Sequence, residues 1–324
     1  MVRLQRQKIQ AALARRAPVL PSHQTSCFRA FHGDAEGLPG VTVDLFGPVA
    51  VVSLYGALEA SQERLLVEDV AWATGVASVY LKRRPKEARV VSTTSKETVA
   101  PEPPSYGPSV EALEVLENGH RYAIRPAQGL SVGLYLDMRE PRAWLERRVA
   151  GKTVLNCFAY TCAFGVVATA GGARRVVNVD LSRRVLDWGE QNARLNGHAV
   201  AKKDYLSGDV FDWLLRFAKK GERFDVVILD PPSFAKGART VFSAGTDYAE
   251  LAAAGARVVG PGGLLFACCN LSKLTAARFE ERVAAGLAEA GRRAVATERL
   301  SPSRLDFPGE SRALKVVASF LDGG

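Results

Sequence analysis

Long apolar runs are missing from this 324-residue sequence. No stretch approaches the roughly 18 consecutive apolar residues of a membrane span. The amino terminus, Met1-Val2-Arg3-Leu4-Gln5-Arg6, is basic but leads into no signal-peptide core, so the default compartment is cytoplasmic. Cysteine is scarce. The five residues Cys27, Cys157, Cys162, Cys268 and Cys269 are odd in number and unevenly spaced, which argues against a disulfide framework in a chain of this size. CxxC pairs and Cys/His clusters are absent and the four histidines are scattered, so no metal site is expected. Acid is absent from the first 33 residues, which carry Arg3, Arg6, Lys8, Arg15, Arg16 and Arg29. A second basic cluster is Lys82-Arg83-Arg84-Pro85-Lys86. With a net charge of +9, this distribution favours a polyanionic partner, the alternative being an ordinary solvated surface.

What is present divides into regions of different pattern. Residues 3–16 form a short basic helix with apolar Leu4, Ile9, Ala12 and Leu13, ended by Pro18 and Pro21. Residues 29–104 have the pattern of a small α+β domain. Two β-rich runs, 41–45 and 49–55, flank the turn Phe46-Gly47-Pro48, a helix is expected over about 59–73, and a strand over 78–81. The stretch Pro101-Glu102-Pro103-Pro104-Ser105-Tyr106-Gly107-Pro108 has linker composition. Within 105–126, Asn118-Gly119 between two alternating runs predicts a β-hairpin. From 127 to 324 short apolar strands alternate with helices, at 153–156, 175–180, 225–230 and 263–268, followed by late strands near 292–298 and 313–320. Near-continuous apolar strands separated by helices predict a mostly parallel, buried α/β sheet of Rossmann-like type, here with an antiparallel edge hairpin.

In such a sheet the ligand lies beyond the carboxyl ends of the strands, at the switch in strand order. The first strand of this domain runs into Asn156-Cys157-Phe158-Ala159-Tyr160-Thr161-Cys162 without the GxGxxG that a dinucleotide pyrophosphate needs. That absence disfavours a nicotinamide oxidoreductase and suits a ligand without phosphates whose charged end is an amino acid. Asp180, at the end of the second strand, can accept from both ribose hydroxyls, and Asp209 can accept from an adenine amino group. Each could equally be a helix cap. After the fourth strand comes Asp230-Pro231-Pro232-Ser233-Phe234, where two prolines stiffen the turn that holds Asp230.

This last string resembles the motif of class I methyltransferases that act on bases. Gly133-Leu134-Tyr135-Leu136-Asp137-Met138-Arg139 resembles the GFFLDQR signature of a bacterial and archaeal family of 23S ribosomal RNA cytosine-5 methyltransferases. Residues 36–44 and 154–165 resemble two further elements of that family. The resemblance implies S-adenosyl-L-methionine as cofactor, held by Tyr135, Asp137, Arg139, Asn156, Phe158, Tyr160, Thr161, Asp180, Leu181, Ser182, Asp209, Val210, Phe211, Asp230 and Pro231. It also implies 23S ribosomal RNA or a large-subunit assembly intermediate as partner, no membrane, and dimerisation. The family commonly has Asp where this chain has Asn156, and Lys-Thr where it has Ser131-Val132. Its members usually begin with an RNA-binding domain of the PUA type. This sequence starts in the basic linker helix, residues 1–28, that follows such a domain, which leaves RNA docking to the basic segments.

C5 of cytosine is not nucleophilic, so its methylation in this family passes through a cysteine adduct at C6. Cys268-Cys269-Asn270 ends a strand where the family carries Ser-Cys-Ser or Ser-Cys-Asn. Aligning the Cys-Asn pair makes Cys269 the nucleophile, at a strand end where an exposed thiol is needed, while an ungapped count from Gly262-Gly263 puts Asn270 there. Strand alternation places the two cysteines on opposite faces, and both could instead be small core residues. Asp230 is then the partner of the base edge. Phe234, Phe242 and Tyr248 could stack on that base or pack in the core, and Arg139 and Lys236 could meet phosphate. The alternatives are an RNA methyltransferase acting on nitrogen of guanine or adenine, with no covalent intermediate, and a non-catalytic RNA-binding protein.

Overall fold

The computed structural model of the chain describes residues 2–84, 95–236, 241–310 and 314–323. The chain forms two compact units, Met1–Arg139 with Ser303–Gly309, and Glu140–Pro302 with Glu310–Gly324. In the first, α1 (Val2–Arg16) occupies the basic stretch before Pro18 and buries Ile9 and Ala12. Strands β1 (Cys27–His32), β2 (Val41–Phe46), β3 (Val49–Leu54) and β4 (Ser78–Arg83) form one sheet in that order. Its pairs are antiparallel except β3 with β4, which helix α2 (Ala60–Thr74) connects. Glu59 and Gln62 close a reciprocal capping box at the start of α2, and Gly75 at φ 68° ends it.

The short helix α3 (Lys96–Val99) precedes the proline-rich stretch expected as a linker. That stretch lies along the outer edge of β4. The Val79 N–H donates to the Tyr106 carbonyl (3.0 Å) and the Ser105 N–H to the Val79 carbonyl (2.8 Å). Gly107, at φ 77°, passes so close that a Cβ there would lie 1.9 Å from the Ala77 carbonyl oxygen. An edge strand exposes a row of unpaired backbone groups, and the segment satisfies part of this one. Strands β5 (Leu113–Glu117) and β6 (His120–Ile124) then form the expected hairpin, with Asn118 at φ 50° and Gly119 at φ 86°. Two successive left-handed residues are what a type I′ turn requires. Residues 127–139 belong to this unit, as does the later segment 303–309.

Most of the described basic residues of the amino-terminal segment have partners within the same unit. Arg6 pairs with buried Asp69, Arg15 and Arg16 with Glu36, and Arg29 with Asp44 (2.7 Å), while Lys8 donates to the Gly37 carbonyl. In the second cluster Lys82 is buried, Arg83 pairs with Glu63, and Arg84 donates to Ser53 Oγ and the Leu130 carbonyl. Lys86 lies outside the described residues. Sequence counting missed this because the neutralising acids arrive from α2, β2 and the turn after β1, all distant in the chain.

The second unit opens with α4 (Arg139–Glu146), whose first residue is the last of the preceding unit. Strands β7 (Thr153–Cys157), β8 (Arg175–Asp180), β9 (Tyr205–Ser207) and β10 (Phe224–Leu229) follow. The small hairpin β11 (Phe234–Lys236) and β12 (Val241–Ser243) and the long β13 (Val259–Cys269) come next, then β14 (Ala294–Leu300) and β15 (Lys315–Leu321). The seven-stranded sheet runs β14-β15-β13-β10-β7-β8-β9. It is parallel through β13, β10, β7, β8 and β9, and β15 is antiparallel to both neighbours, giving the expected edge hairpin. Helices α5 (Ala163–Ala170), α6 (Arg183–Leu195), α7 (Val210–Lys219), α8 (Tyr248–Ala256) and α9 (Ala276–Glu289) connect the strands. The fold is Rossmann-like α/β. Chain order reverses beside β7, with β8 and β9 on one side and β10 and β13 on the other, so the crevice for a ligand opens at the ends of β7 and β10.

Among the described residues no helix is long and apolar enough to cross a membrane, and no group of three or more His, Cys, Asp or Glu is placed to hold a metal ion.

Candidate cofactor and catalytic site

The loop leaving β7 sits at that crevice and has an unusual backbone. Phe158, Tyr160 and Cys162 take φ of 57°, 48° and 59°, left-handed conformations held by residues with side chains. Each such residue costs about 1–3 kcal/mol and persists only where its surroundings hold it. Here the Ala159 N–H donates to the Val179 carbonyl (2.9 Å), the Cys162 N–H to the Ala159 carbonyl (2.7 Å), and the Tyr160 N–H to Asp180 Oδ2 (2.9 Å). Glycine is the usual sequence marker of this geometry, and none stands at these positions, so the sequence alone hid it.

Asp180 ends β8 and accepts from Tyr160 N–H on one oxygen and from Ser182 N–H on the other (2.9 Å). Burial pushes its pKa up, against the N–H groups of Ser182, Tyr160 and Leu181, which pull it down. A carboxylate has about four lone-pair positions, so the two backbone bonds orient Asp180 without exhausting it. Asp209 is the N-cap of α7, with Oδ1 accepting from the Phe211 N–H (2.8 Å). Val210 is buried, and Phe211 is half-buried against Phe242 at 6.1 Å between ring centroids. Phe158 also lies near that ring, at 6.2 Å between centroids. Thr161 is buried, and its carbonyl accepts from Asn192 Nδ2 (3.0 Å). Leu181 is exposed.

Asn156, where the resembled family has an acid, is buried on β7 and donates Nδ2 to Asn178 Oδ1 (2.9 Å) on β8. Two neutral amides side by side need no counter-charge in the sheet. Gly165 of α5 lies directly over the pair, where a Cβ would come within 2.5 Å of Asn178 Oδ1.

Beyond β10, Asp230 leads into Pro231, which is buried, and Pro232, which is exposed. Ser233 Oγ donates to the Asn270 carbonyl (3.2 Å), tying this turn to the segment after β13. Tyr248 of α8 is fully buried, and its hydroxyl lies 2.7 Å from the Cys268 carbonyl and 3.2 Å from the Leu229 carbonyl. It staples together the two strand ends that precede Cys269 and Asp230. Tyr248 is thus a core residue, as is buried Phe242, and neither is free to stack on a base. The side chains of Phe234 and Lys236 lie outside the described residues. Tyr248→Phe should cost about 1–3 kcal/mol, because buried carbonyls lose their donor. Urea denaturation measures the loss, and an unchanged midpoint would show that the staple is unimportant.

Cys268 and Cys269 are both buried, so the exposed thiol expected at this strand end is absent. Alternation separates them as expected. Cys269 shares its face with Leu265 and Ala267 in the core that contains Tyr248, Leu251 and Phe279. Cys268 lies on the opposite face with Phe266, whose ring packs on Trp144 and Phe164. Burial raises the Cys269 thiol pKa, and Asp230 raises it further, while the Leu271 N–H, Lys315 and Arg282 oppose them. Burial raises Cys157 and Cys162 strongly, which fits their role as packing residues.

Tyr135, Asp137 and Arg139 belong to the first unit. Tyr135 is half-exposed with its hydroxyl 2.7 Å from Ser131 Oγ, and Asp137 lies in the single 3-10 turn Leu136–Met138. Arg139 is buried in an ion pair with Asp306 (2.9 Å), so its guanidinium is engaged within that unit rather than offered to phosphate.

A carboxylate fixed at the end of β8, an acid-capped helix after β9, a strained loop after β7 and a stiff Asp-Pro-Pro turn surround a site with no glycine-rich phosphate cradle. The carboxylate acceptors Asp180 and Asp209 suit the hydroxyl and amino donors of an adenosine. The model of the S-adenosylmethionine-dependent methyltransferase family matches residues 29–306. The chain belongs to that family. It is a methyltransferase, with S-adenosylmethionine as its cofactor. Ribosomal RNA large subunit methyltransferase I of Aeromonas salmonicida is 32% identical over 298 residues, 91% of this chain and 73% of that one. The protein of the same name from Alteromonas mediterranea is 33% identical over 319 residues, 98% of this chain and 76% of that one. A solved Streptococcus mutans chain described as a SAM-dependent methyltransferase superposes with a TM-score of 0.84 at 28% identity, covering 98% of this chain and 81% of that one. A further solved structure, a methyltransferase by its description and complexed with S-adenosylhomocysteine, gives 0.85 with the same identity and coverage.

In this methyltransferase Asp180 is expected to accept from the ribose hydroxyls. Asp180→Asn should weaken S-adenosylmethionine binding about 10- to 100-fold, the loss of one to two charge-assisted hydrogen bonds. Its raised pKa sets the sign of the pH effect. Affinity should be full above the folded pKa and fall as pH drops through it, beginning above the ordinary aspartate value of 3.8. Calorimetry on both proteins reads both effects, and equal affinities would remove Asp180 from the site.

Proposed function

We propose that this chain methylates C5 of a cytosine in 23S ribosomal RNA, as free RNA or within a large-subunit assembly intermediate, through a covalent bond from Cys269 to C6. The observation that carries the reading is the placement of Cys269 at the end of β13, next to β10 and the Asp230 turn, with the Leu271 N–H directed at its thiol. The names of the relatives support ribosomal RNA of the large subunit as substrate.

S-adenosylmethionine, when bound, supplies an electrophilic methyl group. In the proposed cycle Cys269 Sγ loses its proton and its electron pair forms the bond to C6. The C5=C6 pair is displaced so that C5 becomes enamine-like and can be methylated. Asp230, in its acid form, donates its proton to N3 of the extruded base and accepts from the N4 amino group, so that addition leaves no net negative charge in the ring. Water as base then takes the C5 proton, its electron pair restores C5=C6 as the S–C6 bond breaks with its pair returning to the Cys269 thiolate, and N3 gives its proton back to Asp230. Asp180 and Asp209 orient the adenosine, with Phe158, Tyr160 and Phe211 beside it.

Incubating the full chain with labelled S-adenosylmethionine and 23S RNA, followed by nucleoside mass spectrometry, tests the reading. The expected product is 5-methylcytidine. Label on a nitrogen of guanine or adenine would replace it with a direct transfer that needs no cysteine.

A further inference from the structure

Lys315 has no part in the cofactor site, yet its burial beside a thiol calls for a physical reason. It is the first residue of β15, and in the antiparallel β13–β15 register it stands directly opposite Cys269. Directly opposed residues in such a ladder put their Cβ atoms about 4.5–5.5 Å apart on the same face. Both side chains are buried, Lys315 at 5% exposure and Cys269 at 0%. Lys315 Nζ donates to the Leu271 carbonyl (2.9 Å), and the N–H of that same residue donates to the Cys269 thiol. A buried ammonium and a backbone N–H therefore converge on the one cysteine that the proposed reaction uses.

We infer that Lys315 is a positioning residue for methyl transfer: its ammonium offsets the cost that burial puts on the Cys269 thiolate and pins the turn whose N–H supports it. The inference rests on the covalent reading above. Removing a proton from Sγ to solvent creates an anion inside a core, and an opposite charge within about 4–6 Å is the strongest counterweight available. Among the described residues, the other charged and titratable groups that act on this thiol include Asp230 beyond β10, Arg282 on α9 and the Tyr248 hydroxyl on α8. Asp230 opposes the thiolate, Arg282 favours it, and Tyr248 stays protonated because burial holds its pKa far above the ordinary value. Burial also pulls the pKa of Lys315 down, while Cys269 and Glu310 pull it up. A purely structural lysine at this position would serve only to satisfy the Leu271 carbonyl.

The test separates charge from hydrogen bonding in the full-length protein. The ultraviolet absorbance of the thiolate is titrated in the wild type and in each variant, with the matching Cys269→Ser protein subtracted. Lys315→Gln keeps a donor for the Leu271 carbonyl but no charge, and should raise the Cys269 midpoint by about one pH unit or more. Lys315→Met, a second neutral variant, reads the same quantity should the glutamine protein not fold. Lys315→Arg keeps the charge and should leave the midpoint near wild type. The rising limb of the single-turnover pH–rate profile should move with the thiol in each case. An unmoved thiol in a folded neutral variant overturns the inference, as does an arginine variant that shifts as far as glutamine. If the titration responds to Lys315 but Cys269→Ala still methylates RNA, the thiol–lysine coupling stands and the covalent reading fails.

Discussion

Cys269→Ala should reduce methyl transfer by at least about a thousandfold, the usual consequence of deleting a nucleophile. The same variant should give no covalent adduct with RNA carrying 5-fluorocytidine, in which fluorine replaces the proton that must leave C5. Binding of S-adenosylmethionine should survive, because Cys269 faces the core formed with α8 and α9 and is not among the proposed cofactor residues. Cys268→Ala is the control. Its side chain points to the opposite face with Phe266, and it should keep both activity and adduct. Burial raises the Cys269 thiol pKa, so the rate should climb with pH toward and beyond the ordinary thiol value of 9.0. Full activity in Cys269→Ala would end the covalent mechanism and favour transfer to a ring or amino nitrogen.

Arg16→Met should destabilise the first unit by about 3–5 kcal/mol, the range for removing one partner of a buried ion pair. Arg16 is 1% exposed and binds both oxygens of Glu36, at 2.9 Å and 3.1 Å. It also donates to the carbonyls of Ala12 (2.9 Å), Arg29 (2.6 Å) and Asp306 (3.0 Å). Without it a buried carboxylate and three carbonyls lose donors together. Burial pulls the Glu36 pKa up, but hydrogen bonds from Arg16, the His32 N–H and Arg15 outweigh it and leave the value below the ordinary 4.5. A depressed carboxylate contributes stability that is present above its unfolded pKa and lost as pH falls through the folded one. Acid unfolding of the wild type should therefore steepen below about pH 4.5, and Arg16→Met should flatten that dependence. Chemical denaturation across this range measures both, and a loss under about 1 kcal/mol would place the Arg16 network among weak surface pairs.

The parts of the fold legible in the sequence are those set by local rules. Asn118-Gly119 carries the φ > 0 pair of a two-residue hairpin, and the central strands β10 and β13 of the second unit are largely apolar and buried. Asp180, Asp209 and Asp230 are candidates for a related reason: each stands at or just beyond a strand end in a sheet of this class, and such strand ends form the crevice. The departures share a different cause. Charge counts along the chain could not show that Asp69, Glu36, Asp44 and Glu63 arrive from elsewhere in the chain to pair with Arg6, Arg15, Arg16, Arg29 and Arg83. The proline-rich stretch had linker composition, yet the open edge of β4 gave its backbone partners.

Composition and motif by themselves determined the class of protein: a Rossmann-like methyltransferase sheet, a cofactor without phosphates, and a short list of acids and thiols. The sheet and the ligand without phosphates follow from periodicity and from residue types at strand ends, which are properties of neighbours in sequence, while the methyltransferase class and the thiols follow from the motifs' resemblance to a known family. Only the tertiary structure decided how the candidates stand to one another. It put Cys269 and Cys268 on opposite faces, buried both, made Tyr248 a staple between two strand ends, engaged Arg139 with Asp306, and set Lys315 across the ladder from Cys269. Burial and cross-strand register depend on segments far apart in the chain, and a thiol's reactivity depends on both.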